Sequence, residues 1–413
     1  MAEKIKTVRG FRDLLGEEAK KYRFVVNTVR KILERYNFEE IILPTVEYTK
    51  LFTRSIGEAT DIVEKEMFTF TDKGGRDVAL RPEGTAGVVR AYIENKLYAD
   101  GTYKKLYYEG SMFRHERPQK GRYREFHQIG AEILGTSNPL ADAEVIKISE
   151  EILKTLKIPA RIEINSLGCK KCRPAYREAL LEYLSSHKEE LCEDCQRRLE
   201  RNPLRILDCK VEGCKLIASQ APKITDYLCE ECKTHYESVK KYLNALGIKY
   251  TENPHLVRGL DYYSKTVFEC VSEELGKTVI AGGRYDYLVE ELGGPPTPAL
   301  GFAAGIERLA LLVKELPKEK PLVLVIPFGG ENEKIHALKL AQTLRKNGIR
   351  VELSYREGKI RKQFEFANKI GAHFTVVVGE NELKEGKYPL KNLLTREERK
   401  LTLEEIVETL KNL

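Results

Sequence analysis

From Glu17 to about Tyr36 the apolar residues Tyr22, Val25, Val26, Val29, Ile32, Leu33 and Tyr36 recur at steps of three and four. That spacing predicts an amphipathic helix. Phe38 to Leu43 follow and end at Pro44, which cannot donate to a sheet ladder, so a strand stopping at Pro44 is expected. Residues 77–83 and 104–114 read as further strands, and Phe126 to Leu134 alternates. On one face of that last strand lie His127, Ile129, Ala131 and Ile133, and on the other Phe126, Gln128, Gly130 and Glu132. Aligned amide and carboxylate groups are costly on a sheet unless solvated or partnered, so the second face is the expected floor of a ligand site.

After Ile164 the texture changes to a charge-rich, cysteine-containing stretch that runs to about Tyr250. Sheet-like patterning resumes at Thr266 to Val271 and leads into Gly282-Gly283-Arg284-Tyr285-Asp286. An interrupted and resumed pattern predicts a first domain over 1–318 with an insertion over 166–250. The Pro317-Lys318-Glu319-Lys320-Pro321 linker then opens a second domain over 319–413. There Leu322 to Pro327, Val351 to Leu353 and Phe374 to Val378 read as strands and 331–347 as a helix, an α/β alternation. The chain has 413 residues, 42% hydrophobic and 32% charged, which fits a globular protein of more than one domain rather than a disordered chain. No apolar run approaches a membrane span, and MAEKIKTVRGFRDLLGEE carries charge where a secretion signal needs apolar residues. The expected location is the cytoplasm. A net charge of +7, from 70 basic and 63 acidic residues, is too mild to indicate nucleic acid by itself.

The sequence contains neither a phosphate loop ending in Gly-Lys-Ser or Gly-Lys-Thr nor a Gly-x-Gly-x-x-Gly after a strand. It places Arg81, Arg114, Arg122, Arg258 and Arg308 beside strands and turns instead. Arginine suits polyphosphate because its planar fork makes permanently charged, bidentate contacts. Between Phe113 and Phe126 a basic loop joins two strands, so a purine could stack on Phe126 while Arg114 reaches a phosphate. In Gly301-Phe302-Ala303-Ala304-Gly305-Ile306-Glu307-Arg308 the glycines and Arg308 fall at i, i+4 and i+7, which predicts one face of a helix lying close to a sheet.

Taken in order, the helix and strand ending at Pro44, the strand-loop-strand with Arg114 and the Gly-rich segment with Arg308 resemble the three signature motifs of class II aminoacyl-tRNA synthetases. Leu80 to Thr85, Phe113-Arg114-His115-Glu116-Arg117-Pro118-Gln119 and Leu256 to Tyr263 are similar to the distinguishing motifs of histidyl-tRNA synthetases. The resemblance implies an α+β catalytic domain on an antiparallel sheet, a mainly helical Cys-rich insertion and a C-terminal α/β anticodon-binding domain. It implies activation of histidine by ATP, transfer to tRNA(His), magnesium on the pyrophosphate oxygens and a homodimer. Glu83, Gly84 and Thr85, with Gln128, would hold the histidine amino group. Glu132 and Tyr263 would address the imidazole, and Tyr262 and Tyr285 would wall the pocket. Arg114 would contact the carboxylate and α-phosphate, with Arg258 on the α-phosphate during attack. Glu116 and Phe126 would take adenine, Arg122 and Tyr123 the nucleotide, Arg308 the terminal phosphate and Gln119 the acceptor end of tRNA. Arg258, Arg114 and Arg308 are thus the expected catalytic groups. A non-enzymatic relative, the regulatory subunit of ATP phosphoribosyltransferase, resembles a chain lacking the last domain and with damaged motifs, which does not match this sequence.

Eight of the nine cysteines fall in the insertion: Cys169, Cys172, Cys192, Cys195, Cys209, Cys214, Cys229 and Cys232. Three of the four pairs have two intervening residues, the spacing of a zinc knuckle. Thiolates suffice for two four-ligand sites; disulfides and free thiols are the alternatives.

Overall fold

The computed structural model describes residues 3–57, 60–119 and 121–413; Lys120, in the basic loop, lies outside them. The chain divides into two compact units, Met1–Leu316 and Pro317–Leu413. No helix among the described residues is long and apolar enough to cross a membrane.

In the first unit the helix Gly16–Arg35 buries Tyr22, Val25, Val26, Val29, Ile32 and Leu33, the face its periodicity predicts. The strand expected over 38–43 shortens to β1 (Glu39–Glu40). Ile41 N–H still donates to Tyr107 O at 2.8 Å. The carbonyls of Leu43 and Pro44, however, accept from the Arg81 guanidinium at 2.9 and 3.4 Å, so the ladder ends there. A small antiparallel sheet of β2 (Val46–Tyr48), β3 (Phe68–Thr71) and β4 (Asp77–Leu80) follows; β4 stops at Leu80 short of the expected 83, and the helix Thr85–Glu94 comes after it.

The main sheet gathers β1 with β5 (Lys104–Phe113), β6 (Glu125–Leu134), β7 (Ala160–Ser166), β8 (Thr251–Glu252), β9 (Ser264–Ser272), β10 (Lys277–Arg284) and β11 (Ala299–Gly305). Its order is β1-β5-β6-β11-β10-β9-β7-β8. The inner pairs are antiparallel as expected, but β1 with β5 and β7 with β8 are parallel, so the sheet is mixed. Helices Gly16–Arg35, Pro139–Thr155 and Ile306–Leu312 share a core with the Ile129, Ala131 and Ile133 face of β6. The opposite face packs in part on Val88, Val89, Leu288 and Val289 and in part lines a cleft.

The Gly301-to-Arg308 segment is not the continuous helix its spacing suggested. Residues 299–305 are β11, paired with β6 and β10, and only Ile306–Leu312 is helical. A Cβ on Gly301 would strike the Glu132 carboxylate and the Ala131 carbonyl, so the missing side chain serves the sheet rather than helix packing.

Between β7 and β8 the chain folds into helices Arg173–Ser186, Glu193–Arg201, Glu212–Ser219 and Glu230–Ala245. Tyr176, Leu180, Leu184, Leu199, Ile206 and Ile217 are among the residues of a separate core there. The last of these helices packs back on helix Pro139–Thr155, where His235 Nε2 lies 3.1 Å from Asp142 Oδ1. Asp142 also accepts from Arg284, a fully buried guanidinium that donates further to Thr136 O and Asn138 O.

The second unit is a five-stranded sheet of β12 (Leu322–Phe328), β13 (Arg350–Leu353), β14 (Phe374–Gly379), β15 (Tyr388–Asn392) and β16 (Glu398–Leu401), ordered β13-β12-β14-β15-β16. The first three strands are parallel, as the alternation implies. The antiparallel pair β15 and β16 was not apparent from a stretch with so few apolar positions.

Candidate active site

The exposed face of the main sheet floors a cleft of about 1300 Å³, part of it open to solvent. Phe126, Gln128 and Glu132 line it from β6, as the alternation predicts, and the Gly301 gap in β11 admits the Glu132 carboxylate.

At the deep end both oxygens of Glu132 are engaged. Thr85 Oγ1 donates to Oε1 at 2.7 Å and Tyr285 O–H to Oε2 at 2.6 Å. Burial pushes the Glu132 carboxyl up to about 8, against the lowering effect of those two hydroxyls. Glu83 is buried beside it. Its carboxylate accepts from the N–H groups of Thr85 and Ala86 at 2.7 and 2.9 Å, at the start of helix Thr85–Glu94, where unpaired amides favour negative charge. Burial still outweighs these bonds and raises its pKa. Tyr262 O–H reaches the same carboxylate at 3.4 Å. Gln128 Oε1 and Tyr108 Oη are buried without a partner. Leaving such atoms bare costs ~1–3 kcal/mol each, which a ligand with matching polar groups relieves.

Toward the mouth the cleft turns cationic. Arg114 donates from Nε to Pro82 O at 3.0 Å and lies 5.3 Å from the Phe126 ring centroid. Arg308 is held by Thr278 O at 2.7 Å and Gly121 O at 3.3 Å. Burial, then Arg122, pushes the Arg308 guanidinium below its ordinary value, with Arg114 adding to the repulsion. Crowded cations of this kind stabilise a polyanion. Arg258 stacks 5.5 Å from the Tyr263 ring and pairs with Glu269, whose other oxygen accepts from Thr278 Oγ1 at 2.5 Å. Burial opposes the Arg258 charge, but Glu269 and Tyr263 more than offset it and raise its pKa.

Residues 10–309 match the family model for histidyl-tRNA synthetase, and residues 322–413 match the anticodon binding domain. The chain belongs to the histidyl-tRNA synthetase family. It is 61% identical to the histidine–tRNA ligase of Aquifex aeolicus (strain VF5) over 97% of this chain and all of that one. With the histidine–tRNA ligase of Halothermothrix orenii (strain H 168) it shares 47% identity over 99% of each chain. The crystal structure of apo S. aureus histidyl-tRNA synthetase superposes with a TM-score of 0.83 at 41% identity, covering 99% of this chain and all of that one.

In this synthetase-family chain most residues singled out from the sequence meet in the cleft: Glu83, Thr85, Arg114, Glu116, Arg122, Tyr123, Phe126, Gln128, Glu132, Arg258, Tyr262, Tyr263 and Arg308. Tyr285 stands behind Glu132 as its hydrogen-bond donor rather than in the lining. Gly84 is packed so tightly on Tyr108 that a Cβ would strike the ring. Glu116 pairs with Arg122, and Tyr123 lies under Arg12 at 4.2 Å. Arg81 is absent from the lining: grouped from sequence with the phosphate-binding arginines, it is buried and donates to the carbonyls of Leu43, Pro44 and Ser111. Tyr108, Asp208, Glu269 and Thr278 also line the cleft and were missed. Glu269 left a usable signal, a carboxylate alone among Val267, Phe268, Cys270 and Val271.

Proposed function

We propose that the cleft activates histidine with ATP, releasing pyrophosphate, and then transfers the histidyl group to the 3′ end of tRNA(His). The observation that carries this reading is a buried pocket of carboxylate, amide and phenol groups opening directly onto arginines. The deep end suits the polar side chain and amino group of histidine. Glu132 accepts from an imidazole N–H, with Tyr263 beside it, while Glu83, Thr85 and Gln128 receive the amino group. A site whose buried groups are completed by the substrate discriminates strongly against apolar analogues.

Adenine stacks on Phe126, with its amine toward Glu116, while Arg122 and Tyr123 flank the nucleotide. Arg114 bridges the histidine carboxylate and the α-phosphate, and Arg308 meets the terminal phosphate. A histidine carboxylate oxygen then bonds to the α-phosphorus as the bond to the bridging oxygen breaks, and pyrophosphate leaves with that electron pair. Arg258, oriented by Glu269, stabilises the charge gathered on the α-phosphate. In the second step the ribose hydroxyl at the tRNA end displaces AMP from the histidyl carbonyl, and Gln119 contacts the acceptor stem.

Magnesium enters this reading with the nucleotide. Glu269 and Glu116 are committed to Arg258 and Arg122, so a magnesium ion would be held chiefly by the phosphates, where it would neutralise charge on the leaving pyrophosphate. Zinc, which the cysteine spacing allows in the insertion, has no part in the reaction. The chain is taken to work in the cytoplasm as a homodimer, for which exposed Ile42, Val46 and Tyr48 around Pro44 offer an apolar surface.

The test is histidine-dependent exchange of labelled pyrophosphate into ATP, alongside charging of tRNA(His). Arg258→Ala is expected to lower exchange by about 10²–10³ while histidine still binds. A purified chain that binds histidine without exchange, or an Arg258→Ala chain exchanging at the parental rate, would falsify the assignment.

A further inference from the structure

The insertion's thiols converge at two points that the reaction does not use. Cys169, Cys172, Cys229 and Cys232 form one quartet, and Cys192, Cys195, Cys209 and Cys214 the other; in each, all four sulfurs lie within 4.8 Å of one another. The quartets are nested in sequence. The outer one joins the two ends of the insertion and the inner one closes within it. Among the described residues these are the groups of three or more ligating side chains close enough to share an ion.

We propose that each quartet is a structural tetrathiolate zinc site, and that the outer one positions the loop carrying Tyr262 and Tyr263. Sulfur separations of 3.6 Å for Cys169–Cys172, 3.8 Å for Cys169–Cys229 and 3.9 Å for Cys192–Cys209 match the ~3.8 Å edge of a tetrahedron with ~2.3 Å zinc–sulfur bonds. Backbone amides already point at the sulfurs. Lys171 N–H lies 3.4 Å from Cys169 Sγ and Cys229 N–H 3.1 Å from Cys172 Sγ, while Cys192 N–H lies 3.2 Å from Cys214 Sγ. Such bonds favour the thiolate form that a soft metal needs. Ordinary apolar packing of cysteines has no reason to focus four sulfurs on one point twice. Loading each site releases four thiol protons and takes up one zinc ion, without an oxidant.

The outer quartet is tied to the pocket by short connections. Lys265 N–H donates to Gly168 O at 2.8 Å and Leu167 N–H to Lys265 O at 2.7 Å, so the strand leaving Tyr263 is paired with the residues entering Cys169. Arg173, next after Cys172, donates to Tyr263 O, and Lys265 Nζ meets Glu231, between Cys229 and Cys232, at 2.9 Å. The inner quartet adjoins Asp208, which lines the cleft, while Asn202 donates to Asp261 and Arg205 to Gly259 O. Cys169, Cys172, Cys229 and Cys232 are therefore positioning residues for histidine, a role that rests on the active-site reading; the metal sites do not.

Elemental analysis and zinc-edge X-ray absorption of the intact, untagged chain test this. Expected are two zinc ions per chain with four sulfur neighbours at ~2.3 Å. Cys172→Ser and Cys195→Ser should each lose one ion. Fewer than two zinc ions, iron or copper in their place, or protein disulfides between these cysteines would overturn the sites, and the parental protein decides this even if a variant fails to fold. In pyrophosphate exchange, stripping the outer zinc or Cys172→Ser should raise the histidine KM by about tenfold and the ATP KM by less than about twofold, with zinc restoring the stripped enzyme. Equal changes in both KM values, or none, would overturn the positioning role. Absence of exchange in the zinc-loaded parent would instead count against the active-site reading.

Discussion

Glu132 combines complete burial with two hydroxyl donors, and its carboxyl titrates near 8 against ~4.3 for an unfolded glutamate. Between those values the folded chain retains a proton that the unfolded chain has released. The sign follows: stability contributed by this group falls as pH rises through the window. Glu132→Gln removes the dependence. The unfolding free energy of the parent minus that of the variant should decline from pH 5 to pH 9 in denaturant titrations. A flat difference would contradict the assignment of the proton to this residue. Above pH 8, where the Glu132 carboxyl is ionised, the same variant should raise the histidine KM by roughly tenfold to a hundredfold, the loss of a hydrogen bond to a charged group. Glu132 was legible in the sequence because strand alternation sets it on one face with Phe126 and Gln128. Tyr108 was not, because adjacent Tyr107 and Tyr108 give no sign of which faces the site; in the fold Tyr107 enters the helix-side core and Tyr108 the cleft side. Arg81 shows the converse limit: an arginine's composition does not reveal whether its five N–H groups meet phosphate or the chain's own carbonyls.

At the level of elements, helix Gly16–Arg35 was readable because its apolar residues all serve one interface. β11 was misread because Gly-Phe-Ala-Ala-Gly has too few large side chains to display a period, and its small residues fit a helix packing motif equally well. The sheet explains the composition. Gly301 faces Glu132 across the β6–β11 pair, so a strand with ordinary side chains would expel the carboxylate. Gly301→Ala should destabilise the chain by about 1–3 kcal/mol, the usual cost of forcing extra volume into a packed site, and should weaken histidine binding with it. Denaturant unfolding and histidine titration measure the two. Unchanged stability with unchanged affinity would mean that Glu132 moves aside freely. Leu43 and Pro44 likewise stay out of the ladder that β1 begins, because their carbonyls accept from Arg81, a partner no local window contains.

For the whole molecule, the assembly of each sheet depends on partners far apart in sequence. Ile42 is 88% exposed beside the β1 edge, and the proposed homodimer would cover it. Ile42→Glu should shift the intact chain toward monomer, read by light scattering across a dilution series; an unchanged mass at every concentration would place the interface elsewhere. The sheet order carries another consequence. β6 ends at residue 134, yet its inner neighbour β11 begins at 299, and Asp142 meets Arg284 across 142 positions. A ribosome must therefore emit most of the first unit before β6 has both neighbours or Asp142 its guanidinium. Meanwhile helices 173–245 have their own core partners close at hand. During synthesis the insertion therefore has its own core partners while the strands flanking it still wait for theirs, and the cleft floor joins β6 to β11 across that delay.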